Sequence, residues 1–163
     1  MTTRVSSVLL GAGAVIQSVN TQSGALATGT TIIPADDTIP QITEGDEYMT
    51  RTVTPTSAGS TLVIDVVFFG SHSFAGTSLM TAALFQDSTA NALACGMGIV
   101  PSANGQVGIK FTHTRTAGTT SPITFRVRAG SNGAGTTTFN GSAGGRYYGG
   151  AMSSSITVTE IAA

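Results

Sequence analysis

Apolar and polar positions alternate with a period of two along most of the chain, and the alternation breaks at clusters of Gly, Pro, Asn and Ser. Breaks spaced about 8–12 residues apart mark short strands in an all-β sandwich or barrel. The run from Thr61 to Phe69 predicts the strongest strand, and others are predicted over 48–54, 78–86, 92–101, 105–115, 122–129, 135–140 and 155–161. A shorter one over 30–34 is closed by Pro34. The acidic segment from Ala35 to Glu47 and the run Pro55 to Ser60 read as turns. Such short connections favour antiparallel meanders over crossover helices. The stretch before residue 30 is less regular and richer in Gly, Ala and Ser. It predicts an N-terminal attachment arm over 1–30, joined to a sandwich domain over 31–163.

The strand faces carry more detail. In 122–129, Ile123, Phe125, Val127 and Ala129 share one face while Thr124, Arg126 and Arg128 share the other, a half-buried strand with one wet side. In 62–69 the alternation fails. Leu62, Ile64, Val66 and Phe68 fill one face, and Val63, Val67 and Phe69 fill the other, interrupted only by Asp65. A two-sheet sandwich has a single dry layer, so the second apolar face is expected to be covered by another copy of the chain. Val63, Asp65, Val67 and Phe69 are therefore subunit-interface candidates. An unpaired carboxylate in an apolar layer is costly, so Asp65 is expected either to meet Arg126 or Arg128 or to end at a wet rim. His113, in step with Val107, Ile109 and Phe111, falls on an inward face and is a further interface candidate. There it would be a hydrogen-bonding partner or, repeated on a threefold axis, an ion ligand. His72 reads as a loop residue.

Composition then narrows the function. The 163 residues include 27 Thr, 17 Ser and 21 Gly but only one Lys, and 9% of positions are charged, for a net charge of −1. Long solvated helices are disfavoured, and nucleic acid is an unsuitable partner, because its affinity rests on clustered Lys and Arg. So few charges also suit a surface largely covered by other copies. The stretch over 5–19 is too short and weakly flanked to predict a signal peptide or a membrane span. Gly11-x-Gly13 lacks the third glycine and the helix of a dinucleotide-binding turn. Cys95 has no second thiol to pair with and reads as a small buried apolar residue. Two His and one Cys, in no recognisable signature, argue against an enzyme. Asp36, Asp37, Glu44, Asp46 and Glu47 lack the spacing of a calcium loop. No metal or cofactor is expected.

The order of motifs is specific in one respect. The run Tyr48 to Ile64, a polar strand followed by Thr54-Pro55-x-Ser57-x-x-Ser60 and an apolar strand, resembles a passage of tailed-bacteriophage fibre and tail-tip domains. So does Gly145-Arg146-Tyr147-Tyr148-Gly149-Gly150 followed by the strand Ser155 to Ile161. The likeness covers about residues 30–163. It implies an antiparallel β-sandwich of jelly-roll type, assembled as a homotrimer on a virion with other virion proteins, and it carries over no fixed binding residues. On that reading the chain is a tail-fibre or tail-tip module held by its arm, with no membrane insertion, and its loops meet a host-surface glycan or protein. Asn132, Asn140, Tyr147 and Tyr148 are the receptor-contact candidates, the tyrosines because their rings can stack on sugars. The other reading of Tyr147 and Tyr148 starts the last strand with them and packs them between subunits. A chain without a long fibre shaft also suits a capsid decoration or head-fibre protein that stabilises the shell without binding a receptor. A secreted bacterial lectin is a third class, expected to carry a cleaved N-terminus.

Overall fold

A computed structural model describes residues 11–163. Twelve strands form in chain order: β1 Val15–Ser23, β2 Ala27–Gly29, β3 Asp46–Val53, β4 Thr61–His72, β5 Ser78–Gln86, β6 Ala94–Val100, β7 Gln106–Thr116, β8 Ile123–Ser131, β9 Thr137–Phe139, β10 Gly141–Ser142, β11 Gly145–Arg146 and β12 Ser154–Ile161. One sheet runs β1-β12-β4-β7, and the second runs β3-β8-β5-β6. Every pairing is antiparallel. The chain crosses between the sheets at β2–β3, β3–β4, β4–β5, β6–β7, β7–β8 and β8–β9, and the sandwich is of jelly-roll type.

β4 is the organising strand because it carries a row of β-branched and aromatic side chains long enough to pair along both edges. β7 lies along one edge from Thr61 to Ser71. On the other edge β12 pairs as far as Val67, and β9 takes over from Gly70 to His72, with β2 beyond it. Leu62, Ile64, Val66 and Phe68 are wholly buried against Leu84, Phe125 and Val127 of the facing sheet. Each such side chain contributes roughly 1.5–3 kcal/mol. Tyr48, Phe68 and Phe139 form an aromatic cluster with centroids 5.0–5.9 Å apart. Its burial, aided by Asp46, pushes the Tyr48 hydroxyl above the ordinary phenol range.

Two expectations change. Residues 30–34 form no strand: Ile33 donates to Ser131 O at 3.1 Å and Ile32 accepts from Gly45 at 3.0 Å, but the following proline has no N–H with which to continue a ladder. The segment instead lays Ile33 over Ala83 and Phe85 on the outside of the second sheet, forming a small satellite core with Ile42 and Ala92. Part of the expected arm is also regular, since β1 pairs with β12 and β2 with β9. The alternation there is hidden because β1 is an edge strand with mostly polar residues on both faces. Residues 1–10 of that arm lie outside the described residues.

Glu160 closes the end of the sandwich where β12 finishes. Its buried carboxylate accepts from Gln17 Nε2 at 2.6 Å, from the Thr56 N–H and hydroxyl at 2.8 Å each, and from the Ser57 N–H at 3.4 Å. Burial alone would raise its pKa, but the Gln17 and Thr56 hydrogen bonds outweigh burial and lower it from 4.5 to about 2. A depressed carboxyl pKa gives stability that is complete above pH 4.5 and is lost as pH falls through about 2. Acid titration of folding should therefore show a fall confined to this window, and Glu160→Gln should flatten it while costing about 2 kcal/mol at neutral pH in denaturant melts.

Candidate functional site

Strand direction gives the sandwich two distinct ends. Ser23, Ser71, Gln106 and Ser154 mark one end of the first sheet, and Val15, Thr61, Thr116 and Ile161 mark the other. At the first end the loops 24–26, 73–77, 101–105, 132–136 and 140–153 come together. Among the described residues the exposed aromatic side chains are Phe74, Tyr147 and Tyr148, and all three lie in these loops.

The tyrosines are displayed by a strained turn. Tyr148 has φ +50°, followed by Gly149 at +63° and Gly150 at +96°. A left-handed tyrosine costs on the order of 1–3 kcal/mol, yet its ring is 80% exposed and gains little packing. Tyr147 lies beside it, 41% exposed, with ring centroids 5.9 Å apart. The turn is held from below, because Gly24 and Gly150 approach so closely that a Cβ on Gly24 would sit 2.0 Å from Gly150 O. Tyr147 and Tyr148 precede the last strand and do not begin it, since β12 starts at Ser154.

Asn140 is a correction to the receptor-contact set. It is completely buried, with φ +55°. Its Nδ2 donates to Ser23 O at 2.7 Å and Ala25 O at 3.0 Å, and its Oδ1 accepts from Ser154 Oγ at 2.7 Å. Ser154 Oγ in turn accepts from the Phe69 N–H at 2.9 Å. The side chain therefore fastens the loop to β1, β4 and β12 and has no surface with which to meet a receptor. Asn132 is exposed, and its Oδ1 accepts from the Leu79 N–H at 2.9 Å, which extends the β5–β8 ladder by one rung.

His72 is likewise not a loop residue. It ends β4 and is buried, with Nδ1 accepting from the Phe74 N–H at 3.3 Å. Burial lowers its pKa, opposed by a backbone hydrogen bond to Gly135. The imidazole thus orders the loop that presents Phe74, whose ring lies against Gly76 and Gly133.

The interface candidates separate into two groups. Val63, Asp65, Val67 and Phe69 share the outer face of β4 and are half-buried, with no element among the described residues laid over them. Phe69 rests on Gly108 of β7. Among the described residues Asp65 meets no arginine; it accepts from Thr112 Oγ1 at 2.5 Å. Arg126 and Arg128 belong to β8 of the other sheet and bind Glu47 at 3.1 and 3.8 Å. They point away from the opposite side of the sandwich, so pairing with Asp65 is geometrically excluded. His113 stands opposite Ile64, on the inward side of β7, half-buried. Burial first, and Arg115 second, lower its pKa. It therefore does not share the face of Val63 and Val67, and a threefold axis on that face would not gather it.

Cys95 is exposed, contrary to expectation, because β6 is an edge strand with an uncovered outer side. Among the described residues no three His, Cys, Asp or Glu side chains come close enough to hold a metal ion. No helix among them is long and apolar enough to cross a membrane.

No protein-family model matches the chain, and no curated protein matches it in sequence. Among solved structures it is similar to Eiger TNF from S. frugiperda, at 12% identity and a TM-score of 0.47, over 89% of this chain and 93% of that one. It is also similar to infectious bursal disease virus, Gx strain, at 14% identity and a TM-score of 0.36, over 89% of this chain and 36% of that one. The VP2 subviral particle of the same virus is similar at 14% identity and a TM-score of 0.33, over 100% and 43%.

Removing the buried amide should test the anchoring role. Asn140→Ala leaves the Ser23 and Ala25 carbonyls without donors, and a loss of about 2–3 kcal/mol in thermal or denaturant unfolding is expected. Asn132→Ala, at the exposed rung, should cost less than about 1 kcal/mol in the same assay.

Proposed function

We propose that the chain is a non-enzymatic structural module of a bacteriophage virion, a homotrimer held at one end and touching the host surface with the other. The observation that carries this reading is the polarity of the sandwich. The chain enters β1 at the end marked by Val15 and Ile161, while Phe74, Tyr147 and Tyr148 stand at the opposite end. An anchor at the Val15 end, made by the N-terminal arm and other virion proteins, leaves the aromatic loops pointing outward. Exposed tyrosines presented at an energetic cost to the backbone suit stacking on the apolar faces of sugar rings. Weak single sites of this kind gain avidity when three act together.

The open apolar row Val63, Val67 and Phe69 supports assembly. It crosses a face whose neighbouring strands carry Thr112, Thr114, Thr157 and Thr159, small neutral side chains, and on which Asp65 and Lys110 are the charges that a second subunit would have to leave at a wet rim or pair. Light scattering is expected to give three times the 16.4 kDa chain mass. Val67→Asp should return a folded monomer, and a wild-type monomer at micromolar concentration would defeat the trimer. Tyr148→Ala should weaken binding to host-surface glycan by about tenfold per site, with melting unchanged. Immunogold labelling of intact particles checks the location. Label at the tail tip agrees with this reading, whereas label spread over the shell would identify a capsid decoration protein.

A further inference from the structure

β6 is the least protected edge of the sandwich, and its side chains are distributed in a way that the core does not explain. Its inward positions are Gly96 and Gly98, which let the strand settle directly onto β7. A Cβ on Gly96 would stand 2.8 Å from Ile109 and Phe111, and one on Gly98 would stand 2.3 Å from Val107. Ala94 and Val100 also face inward at the two ends of the strand, Val100 in the core, so it is the middle of the strand that carries its side-chain bulk outward, as Cys95, Met97 and Ile99. Met97 is 59% and Ile99 61% exposed.

Natural sheet edges are usually guarded by charge, proline or a bulge. The other long edges here are guarded, while the edge at β2 is only three residues long. β1 has a bulge at Val15/Gln17, β3 has a bulge at Glu47/Met49 and three charged residues, and β7 carries Lys110 and Arg115. β6, Ala-Cys-Gly-Met-Gly-Ile-Val, has no charge and no proline, and its register with β5 is unbroken from Val100 to Ala94. Beside it, on the outside of the sheet, lies a groove of about 400 Å³ between Cys95 and the segment that carries the exposed Ile39.

We infer that β6 pairs antiparallel with β6 of a second copy across a twofold axis, continuing the second sheet from one protomer into the next. The strand is its own complement. With Met97 opposite Met97 of the second copy, Cys95 faces Ile99 and Ile99 faces Cys95, so every outward pair is apolar. The inward glycines meet with nothing between them. Asp36 and Asp37 line the neighbouring groove, but β6 itself carries no charged side chain that would select a different protein, and an isologous contact requires only self-complementarity. A two-strand contact buries less than the roughly 800 Å² per partner of a standard interface. By itself it is weak, and it acts within a multivalent assembly. This surface lies on the opposite sheet from Val63 and Val67, so it links trimers to one another without competing with the trimer contact.

Disulfide trapping tests the register even for a weak contact. In a Cys95→Ser background, Met97→Cys places two thiols across the axis. Mild oxidation at high protein concentration should give a covalent dimer at least tenfold faster than Ser88→Cys, an exposed turn cysteine in the same background. Equal rates would overturn the inference. Met97→Lys is the second measurement: the mass by light scattering at high concentration should fall by half with the melting temperature unchanged, and an unaltered mass would also overturn it. Repeating the trapping with Val67→Asp separates the two surfaces, because the Met97→Cys dimer should persist when the trimer is lost.

Discussion

The single dry layer between the sheets is the constraint on which the molecule depends. Leu62, Ile64, Val66 and Phe68 occupy its middle without exposure, and the strand that carries them hydrogen-bonds along both edges. A slip of one residue in that strand would turn four large apolar side chains outward and bring Asp65 into the core. The register of β12, β7 and β9 is fixed by this penalty, and the loops that join those strands can tolerate irregular backbone because the frame beneath them cannot shift.

Polar groups close the two ends of that layer differently. At one end Glu160 is satisfied by Gln17 and Thr56, a charge made tolerable inside by several donors at once. At the other end the Asn140–Ser154 pair gathers backbone groups from β1, from β4 and from the loop after β1. The consequence is mechanical. A firmly anchored base lets the 143–150 turn hold Ala143, Gly144, Tyr148, Gly149 and Gly150 at positive φ, conformations that a loosely held loop would relax. Rigidity below and display above belong to the same arrangement.

The outside of the sandwich is divided as sharply as its ends. One sheet presents a threonine-lined face with an apolar row along β4, and the other presents an acidic flap folded over Phe85 and an apolar edge at β6. Few charges border either patch: Asp65 and Lys110 on the first, Asp36 and Asp37 beside the second.

Period-two alternation and turn residues in the sequence located β3 to β8 and β12 to within about two residues, because each strand's inner face must be apolar wherever it lies. For Tyr147 and Tyr148 the pattern allows either sugar stacking or packing between subunits, and their exposure in one chain suits both. The linear pattern could not say which strands share a sheet. That is why Asp65 was expected near Arg126 and Arg128, which lie across the sandwich, and why Cys95 was expected to be buried although its strand is at an edge. The buried role of Asn140 was equally hidden, because its partners Ser23 and Ala25 are more than a hundred positions away in the chain. A sequence specifies which side of a strand avoids water, but only the packed sheets decide what lies beside it, since every neighbour that matters is brought there by pairing distant segments.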